Sequence, residues 1–195
     1  MSDKYDTISN IVETRRTIRR FLPIEIDEAI LLDVLNLARL SPSGANRQPL
    51  SYVVVLDEKM RGDIFNHVKW AGYISPDGTP SEGERPMGYI AVLSDTTISK
   101  APDIDVGATC MTINYLLEAQ GIGVCWMGAI DREAISELLD IRQPLKLELI
   151  LAIGYKAEQP LVEDISDSIK YYKDEEGVLH VPKRRLMDVV RIING

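Results

Sequence analysis

The sequence predicts a protein in which a central β-sheet is covered by helices, in an α/β or α+β arrangement. Short apolar segments rich in β-branched residues alternate along the chain with segments whose apolar residues recur at helical spacing. This alternation is typical of a helix-covered sheet and differs from the pattern of a helix bundle or a β-sandwich. With 195 residues, the chain is long enough for a single domain with a substantial core.

Local patterns indicate where each element lies. At 27–40, apolar residues recur at helical spacing after Asp27, a residue type that often caps helix N-termini. At 51–56, a short β-branched run is typical of a strand that is buried on both faces. The predicted helices are 27–40, 58–69, 105–120 and 131–139. The predicted strands are 51–56, 89–94, 124–127 and 147–153.

Two segments depart from this alternation. Residues 70–88 contain proline and glycine at short intervals and predict a long loop, a type of segment that often forms a lid or a binding loop. Residues 170–195 combine a polar stretch, a run of basic residues and a short apolar tail. This second segment fits either an arm that extends onto another subunit or a surface extension.

The composition excludes several classes of protein. Although 45% of the residues are hydrophobic, no apolar run approaches the roughly 20 residues of a membrane-spanning helix. The N-terminal residues are polar and acidic, unlike a secretory signal, so we expect a cytoplasmic protein. Cys110 and Cys125 are too few for a disulfide framework and too far apart for a CxxC motif, which favours buried free thiols.

Positive charge is concentrated near the two ends of an acidic chain. The formal net charge of -8 argues against general affinity for nucleic acid. Nevertheless, the segment 13–20 contains four arginines, and 183–185 is a run of three cations. Each cluster by itself could be a solvated surface. A compact fold could also bring both clusters to one anion, for which a phosphate monoester is the natural candidate.

Motifs for catalysis by side chains are missing from the sequence. His67 and His180 are the only histidines, and there is no HExxH motif or His/Cys cluster, so we expect no metal site. The sequence also lacks a GxSxG elbow, a Walker phosphate loop and a GxGxxG after a strand. If the protein is an enzyme, an organic cofactor is expected to carry its chemistry.

Five motifs, taken together and in order, resemble the FMN-dependent nitroreductase family. They are RRTIRRF at 15–21, ARLSPSGANRQP at 38–49, GIGVCWMG at 121–128, AIGY at 152–155 and VPKRRL at 181–186. The resemblance implies an α+β fold, a three-layer α/β/α sandwich with a central, mainly antiparallel sheet flanked by helices. It also implies a homodimer with two FMN sites at the subunit interface, in which a C-terminal arm of about 170–195 crosses onto the partner.

The resemblance also assigns residues to the FMN phosphate. Cations from both ends of the chain would close on one phosphate, which would explain the two distant basic clusters. The implied phosphate ligands are Arg15, Arg16, Thr17, Lys183 and Arg185. Thr17 replaces the serine that is usual in the family and retains a hydroxyl donor. Arg19 corresponds to a cation beside the pyrimidine edge of the flavin, where it would stabilise the reduced, anionic ring.

Further residues are implied to contact the flavin ring. The loop that runs from one subunit along the flavin of the other corresponds to Pro42, Ser43, Gly44, Ala45 and Asn46. Gly128 corresponds to the position whose backbone N–H points at flavin N5, and Trp126 and Met127 would lie against the ring. Core packing is the alternative role for both Trp126 and Met127. Asn66 and Lys69 are polar residues to which the resemblance assigns no place.

The implied chemistry is ping-pong hydride transfer. NAD(P)H would reduce FMN at N5, and a nitroaromatic, a quinone or a similar small electrophile would then take the hydride, without a side chain acting as acid or base. The loop at about 70–88 is the candidate wall of the substrate site. Trp70 and Tyr73 are its possible ring-stacking residues, or they pack this loop onto the core.

Two other interpretations stay open. The family includes members that carry out reductive dehalogenation, flavin fragmentation or azoline oxidation, and the sequence selects none of these reactions. The basic clusters could instead belong to a non-enzymatic module that binds anions or proteins. The acidic net charge and the number of motifs shared with the family disfavour this last interpretation.

Overall fold

The computed structural model describes residues 2–194, which contain five α-helices and seven β-strands. The helices are α1 (Asp3–Thr14), α2 (Glu28–Ala38), α3 (Glu58–Phe65), α4 (Asp103–Ala119) and α5 (Arg132–Leu138). The strands are β1 (Leu50–Val55), β2 (Gly88–Asp95), β3 (Ile122–Met127), β4 (Leu145–Tyr155), β5 (Leu161–Asp164), β6 (Tyr172–Lys173) and β7 (Leu179–Lys183). Each of the eight elements predicted from the sequence has a counterpart among them.

The first four strands form one sheet in the order β1-β2-β4-β3, and every neighbouring pair is antiparallel. The two central strands, β2 and β4, are buried over most of their length. The pairing confirms the antiparallel sheet that the family resemblance implies. Residue patterns by themselves leave strand direction open, because a fully buried strand has the same apolar character in either direction.

Helices cover both faces of this sheet and give it two cores. On one face, Ile64 of α3 and Ile135 of α5 are fully buried. On the other face, Leu31 of α2 and Ile113 of α4 are fully buried. Each such side chain stabilises the fold by about 1.5–3 kcal/mol relative to an exposed one. The result is the three-layer α/β/α sandwich that the resemblance implies.

Two glycines allow the segment after α1 to lie directly against the sheet. The backbone N–H of Ile18 donates to the carbonyl oxygen of Val124 in β3 at 3.1 Å. A Cβ atom at Gly123 would lie 2.6 Å from the side chain of Ile18, and one at Gly154 would lie 2.8 Å from that of Phe21. These distances are below any normal contact, so the close approach requires glycine at both positions.

The structure differs from the sequence prediction at two helices. α1 was not predicted, and its residues are not buried within the chain, so the sequence lacks the strong apolar stripe of a core helix. α3 ends at Phe65 instead of residue 69. The reason is that Val68 turns away from the helix to form an antiparallel β-bridge with Ile130.

The C-terminal region forms a second, small sheet, whereas the sequence predicts a tail without a core of its own. In this sheet β7 is central, parallel to β5 and antiparallel to β6. One ring nitrogen of His180 lies 3.0 Å from the carboxylate of Glu163, and the other lies 3.1 Å from that of Asp174. The ring also stacks on Tyr172, with 4.9 Å between centroids. The prediction that this region crosses onto a partner subunit stays a prediction.

Both cysteines are buried free thiols, as predicted. Burial raises the pKa of Cys110 to about 12 and that of Cys125 to about 11, so both are protonated at neutral pH. Among the residues that the structure describes, no helix is both long enough and apolar enough to cross a membrane.

Candidate active site

The segment 15–19, which the sequence assigns to flavin binding, runs in an extended conformation beside β3. Burial alternates along it: Arg16 and Ile18 are buried, whereas Arg15, Thr17 and Arg19 are half-buried. Because successive side chains of an extended segment point to opposite sides, the latter three share the more accessible side. The structure therefore brings three of the predicted flavin-binding residues onto one face.

Arg16 lies on the other side of this segment and contacts α1. Its guanidinium donates to the carbonyl oxygens of Glu13 at 2.7 Å and Val12 at 3.5 Å, and also to that of Arg15. Burial, together with the neighbouring charge of Arg15, lowers the pKa of Arg16. Arg16 thus satisfies carbonyl groups at the C-terminus of α1. Its assignment to the FMN phosphate stays a prediction.

Arg15 carries a donor that the described part of the chain does not satisfy. Its Nε is buried and has no hydrogen-bond partner among residues 2–194. Leaving a buried donor without an acceptor costs about 1–3 kcal/mol, and more for a charged group. An anion bound next to Arg15 would remove this cost.

Arg19 is held through both its backbone and its side chain. Its backbone N–H donates to the carboxylate of Glu158 at 2.5 Å. Its guanidinium carbon lies 4.9 Å from the centre of the Tyr171 ring, a distance typical of a cation–π contact. Sequence reasoning missed Glu158 and Tyr171, since neither residue belongs to a recognisable motif. The structure thus joins the predicted flavin-binding segment to the C-terminal region.

The end of β3 presents the other predicted ring contacts. Met127 is only 3% exposed and packs in the core, whereas Trp126 is 37% exposed. Around Gly128, a Cβ atom would meet no described atom within 4 Å, so there is open space next to this backbone. Of these residues, Trp126 and Gly128 are therefore accessible to a ligand. Met127 lies between them in the chain and anchors the end of β3 in the core.

A backbone pairing places the end of α3 beside the same region. The N–H of Lys69 donates to the carbonyl oxygen of Ala129 at 3.0 Å, and the N–H of Asp131 donates to that of His67 at 2.9 Å. This pairing brings the Asn66–Lys69 stretch next to Gly128. Sequence reasoning could not place these residues, because the pairing joins segments that are about 60 residues apart in the chain.

The two residues predicted to stack on a substrate have different surroundings. Trp70 packs against Phe65 at 5.7 Å between ring centroids, and its indole Nε1 is buried without a partner in the described structure. Tyr73 is 56% exposed and lies 4.9 Å from the ring of Tyr171. Loop packing therefore accounts for Trp70, whereas Tyr73 leaves much of its ring accessible.

The loop that contains Pro42 to Asn46 is held by one carboxylate. Asp105 of α4, which is 8% exposed, accepts a hydrogen bond from the Ser43 hydroxyl at 2.5 Å and from the Gly44 N–H at 3.0 Å. Ala45 and Asn46 have positive φ angles of 52° and 54° and are exposed. The left-handed turn is therefore made by these two residues and not by Gly44. Sequence reasoning missed Asp105, because it belongs to no motif and its partners are about 60 residues away in the chain.

The C-terminal cations lie apart from the other predicted phosphate ligands in the single chain. Lys183 at the end of β7 and Arg185 are both exposed. Within residues 2–194, no hydrogen bond or salt bridge connects either of them to the segment 15–19. A shared phosphate site for the two basic clusters consequently stays a prediction. The described residues also contain no cluster of His, Cys, Asp and Glu that is suited to a metal ion.

Solved structures align with this fold over most of the chain. A nitroreductase family protein from Streptococcus pneumoniae aligns with a TM-score of 0.70 at 16% identity, over 95% of this chain and 99% of the other. A nitroreductase-like protein from Desulfovibrio desulfuricans, solved in complex with FMN, aligns with a TM-score of 0.67 at 20% identity, over 96% and 97%. These matches define the fold as nitroreductase-like.

Sequence comparison then identifies the family. Residues 12–155 match the model of the nitroreductase family. An Archaeoglobus fulgidus protein with the provisional name NADH dehydrogenase/NAD(P)H nitroreductase is 30% identical over 157 residues, covering 76% of this chain and 85% of the relative. The chain belongs to the nitroreductase family.

Other relatives carry different names. An iodotyrosine deiodinase from Haliscomenobacter hydrossis is 25% identical over an alignment of 202 residues, covering 87% of this chain and 86% of the relative. A 5,6-dimethylbenzimidazole synthase from Rhodospirillum rubrum is 26% identical over 183 residues, covering 81% and 86%. Membership of this family therefore leaves several reactions open.

Proposed function

We propose that this protein is an FMN-dependent oxidoreductase that takes hydride from NAD(P)H and passes it to a small electrophile. Family membership supports the class of reaction, and the surroundings of Arg15 support the cofactor. The buried Nε–H of Arg15 lacks an acceptor among residues 2–194. A phosphate group would provide that acceptor and would also neutralise a partly desolvated guanidinium. This donor is the single observation that carries the proposal.

The neighbouring residues fit the remainder of FMN. Thr17 and Arg19 share the accessible side of the segment with Arg15. Gly128 borders open space, and the partly exposed ring of Trp126 lies two residues before it. The phosphate would lie next to Arg15 and Thr17. The flavin ring would extend towards Arg19 and the open space at Gly128.

The protein's own contribution is to bind and tune the cofactor. When bound, FMN would accept and donate hydride at N5, a reaction that no side chain can perform. Arg15 and Thr17 would hold its phosphate, and the positive charge of Arg19 would favour the reduced, anionic ring. Glu158 fixes the backbone of Arg19 and so keeps this charge in place. Solvent can supply the protons, which agrees with the lack of a catalytic acid or base in the motifs.

We infer that the site is completed in a homodimer. Large apolar side chains are exposed on α1 and on the tail after β7, and groups of exposed apolar residues often mark interaction surfaces. Among them are Tyr5 at 55%, Ile8 at 62%, Leu186 at 69%, Ile192 at 73% and Ile193 at 81%. A partner chain would cover these residues. Its C-terminal cations and its 42–46 loop would then be available to the flavin.

Nitroaromatics and quinones are the acceptors that we propose first, because flat conjugated molecules can stack on the accessible ring of Tyr73. A flavoprotein of the same fold with a different natural reaction is the second candidate. The relatives named iodotyrosine deiodinase and 5,6-dimethylbenzimidazole synthase support this alternative. Steady-state rates with a nitroaromatic, a quinone and a halogenated phenol distinguish the two candidates.

The proposal is tested first by the cofactor. Purified protein, or protein mixed with added FMN, is expected to be yellow and to lose its visible absorption when NADH or NADPH is added without oxygen. A nitroaromatic or a quinone should restore the absorption. Colourless protein that does not take up FMN would contradict the cofactor assignment. Protein that binds FMN but is not reduced by either nicotinamide would contradict the proposed hydride donor.

A further inference from the structure

A pocket of about 330 Å³ lies between α3, the turn Glu82–Glu84 and the beginning of β2. Its lining includes Arg61 and Phe65 from α3, Arg85 just after the turn, and Tyr89 from β2. None of the residues predicted one by one to contact flavin or substrate lines it, although its lining from Glu82 to Met87 belongs to the 70–88 loop that the sequence predicts as a substrate wall. Its volume is at the lower end of the range for small-molecule sites, which suits a ligand of about benzoate size.

Tyr89, one of the residues that line this pocket, carries a buried hydroxyl group without a partner in the described chain. Tyr89 is 1% exposed, and its hydroxyl makes no hydrogen bond within the described chain. Burial raises the pKa of Tyr89, while the charges of Arg61 and Arg85 oppose the rise. The phenol is therefore neutral and remains a donor. A buried hydroxyl that lacks an acceptor is rare in folded proteins and points to a ligand atom that the protein does not supply.

Two guanidinium groups are fixed near this hydroxyl. The Nε of Arg61 donates to the carbonyl oxygen of Leu56 at 3.1 Å, and its Nη1 donates to that of Pro86 at 3.2 Å. The guanidinium carbon of Arg85 lies 4.2 Å from the centre of the Phe65 ring. Neither arginine forms a salt bridge within residues 2–194. Two positive charges are thus held in place by neutral groups.

We propose that this pocket binds a small organic monocarboxylate with an aromatic or apolar body. The carboxylate oxygens would accept hydrogen bonds from the Tyr89 hydroxyl and from the guanidinium groups of Arg61 and Arg85. The body of the ligand would lie in the pocket against the Phe65 ring. The neutral phenol, the uncompensated guanidinium groups and the aromatic wall each match one part of such a molecule.

The rim of the pocket limits the charge of the ligand. Glu58 and Glu82 also line it, and both are exposed. Their negative charges repel a dianion more strongly than a monoanion. A carboxylate is therefore favoured over inorganic phosphate, and benzoate is the probe that matches both the charge and the volume.

Isothermal titration of the FMN-saturated protein with benzoate tests this site. We expect saturable binding that weakens about tenfold in Tyr89→Phe and in Arg85→Gln, as the loss of one hydrogen bond to a carboxylate predicts. Arg142→Gln removes an exposed arginine elsewhere on the surface and should leave benzoate binding unchanged. Acetate, which lacks the ring, should bind more weakly than benzoate, and inorganic phosphate more weakly still.

Several results would overturn the inference. They are the absence of saturable benzoate binding, equal affinity in wild type and Tyr89→Phe, and tighter binding of phosphate than of benzoate.

A melting temperature provides a second test: Tyr89→Phe should not lower it without benzoate, because the hydroxyl has no partner to lose. A clear drop would show that the hydroxyl is already satisfied. FMN uptake is measured separately, so failure here leaves the proposed function intact.

Discussion

At the scale of single residues, three arginines that look alike in the sequence have different surroundings. Arg16 donates to carbonyl groups of α1, and Arg19 packs on the ring of Tyr171. Arg15 has a buried Nε–H without an acceptor among residues 2–194. The alternation of burial along an extended segment explains the difference, since neighbouring side chains point in opposite directions.

Replacing Arg15 is therefore expected to affect FMN more than folding. Arg15→Ala should weaken FMN binding by about 1.5–3 kcal/mol, the range for a hydrogen bond to a charged group. Arg185→Ala should have a similar effect if the C-terminal cations of the partner reach the same phosphate. The dissociation constant is measured by quenching of flavin fluorescence.

Arg142→Ala is the matched control for both variants. Arg142 is exposed, pairs with Asp140 two residues away, and lies outside the proposed site. Its replacement should leave the dissociation constant unchanged. Normal FMN binding in Arg15→Ala would remove the observation on which the proposed phosphate site depends.

At the scale of elements, the position of the segment predicted to bind flavin depends on glycine in the strands beneath it. Gly123 and Gly154 have no room for a Cβ atom, because Ile18 and Phe21 lie directly above them. Packing of these two apolar side chains onto β3 and β4 thus fixes Arg19, which lies between them in the chain, and Thr17, which precedes Ile18. A substitution that adds one methyl group at Gly123 therefore tests whether core packing affects the proposed cofactor binding.

Gly123→Ala should displace the segment 15–21 from β3. Because the added Cβ would lie 2.6 Å from Ile18, we expect a loss of about 1–3 kcal/mol in the free energy of unfolding, together with weaker FMN binding. Urea denaturation and flavin titration measure the two effects. Gly62→Ala, which adds a methyl group into open space on α3, should be neutral or stabilising by up to about 1 kcal/mol. Equal behaviour of the two variants would argue against the close packing described here.

The C-terminal sheet contains a histidine whose charge contributes to its stability. Carboxylates only accept hydrogen bonds, so contacts to both Glu163 and Asp174 require that His180 be doubly protonated. Hydrogen bonds to Glu163 and then to Asp174 raise the pKa of His180 above 6.5. The hydrogen bond with His180 also lowers the pKa of Asp174 below 3.8.

These two shifts define a pH window for the stability of the sheet. The histidine contribution is complete below the unfolded pKa of 6.5 and is lost as the pH rises through the higher folded pKa. The Asp174 contribution is complete above 3.8 and is lost as the pH falls through the lower folded pKa. Both contributions are therefore complete between pH 3.8 and pH 6.5.

Thermal melting of wild type and His180→Gln over a range of pH checks this window. The difference in melting temperature should be largest near pH 5 to 6 and should shrink in mildly alkaline buffer. His67→Gln is the control, because His67 has a single, longer contact of 3.8 Å with Asp131. A difference for His180→Gln that does not change with pH would contradict a charged His180.

At the scale of the whole molecule, the residues predicted to form a flavin site are not all brought together within one chain. The segment 15–19 and the end of β3 are adjacent through the Ile18–Val124 hydrogen bond. The 42–46 loop and the C-terminal cations are exposed elsewhere. A homodimer is the simplest assembly in which these exposed residues could meet a flavin on a second copy.

Polar substitutions in the tail test the proposed dimer. Replacing both Ile192 and Ile193 with serine removes two of the most exposed apolar side chains after β7. We expect the dimer dissociation constant, measured by analytical ultracentrifugation, to rise about tenfold or more. Ile169 is 65% exposed but lies outside α1 and the tail. Ile169→Ser should therefore leave the dimer dissociation constant unchanged. A wild-type protein that is monomeric at all concentrations would contradict the dimer itself.

The sequence by itself determined the elements of the fold and the family. Apolar residues at helical spacing predicted four helices, and short β-branched apolar runs predicted four strands, because burial selects these patterns. Resemblance to the family predicted the strand direction and the layers, and it led to the proposed cofactor. Local patterns did not reveal α1 or the C-terminal sheet, because α1 has no buried face and the C-terminal strands are short.

Only the tertiary structure decided which residues lie together. The role of Asp105 in holding the 43–48 loop and the pairing of Lys69 with Ala129 join segments that are distant in the chain. The same is true of the pocket around Tyr89, whose lining comes from three separate parts of the sequence. Such contacts arise from packing against a shared sheet, and a local sequence pattern records the need for burial but not the partner that provides it.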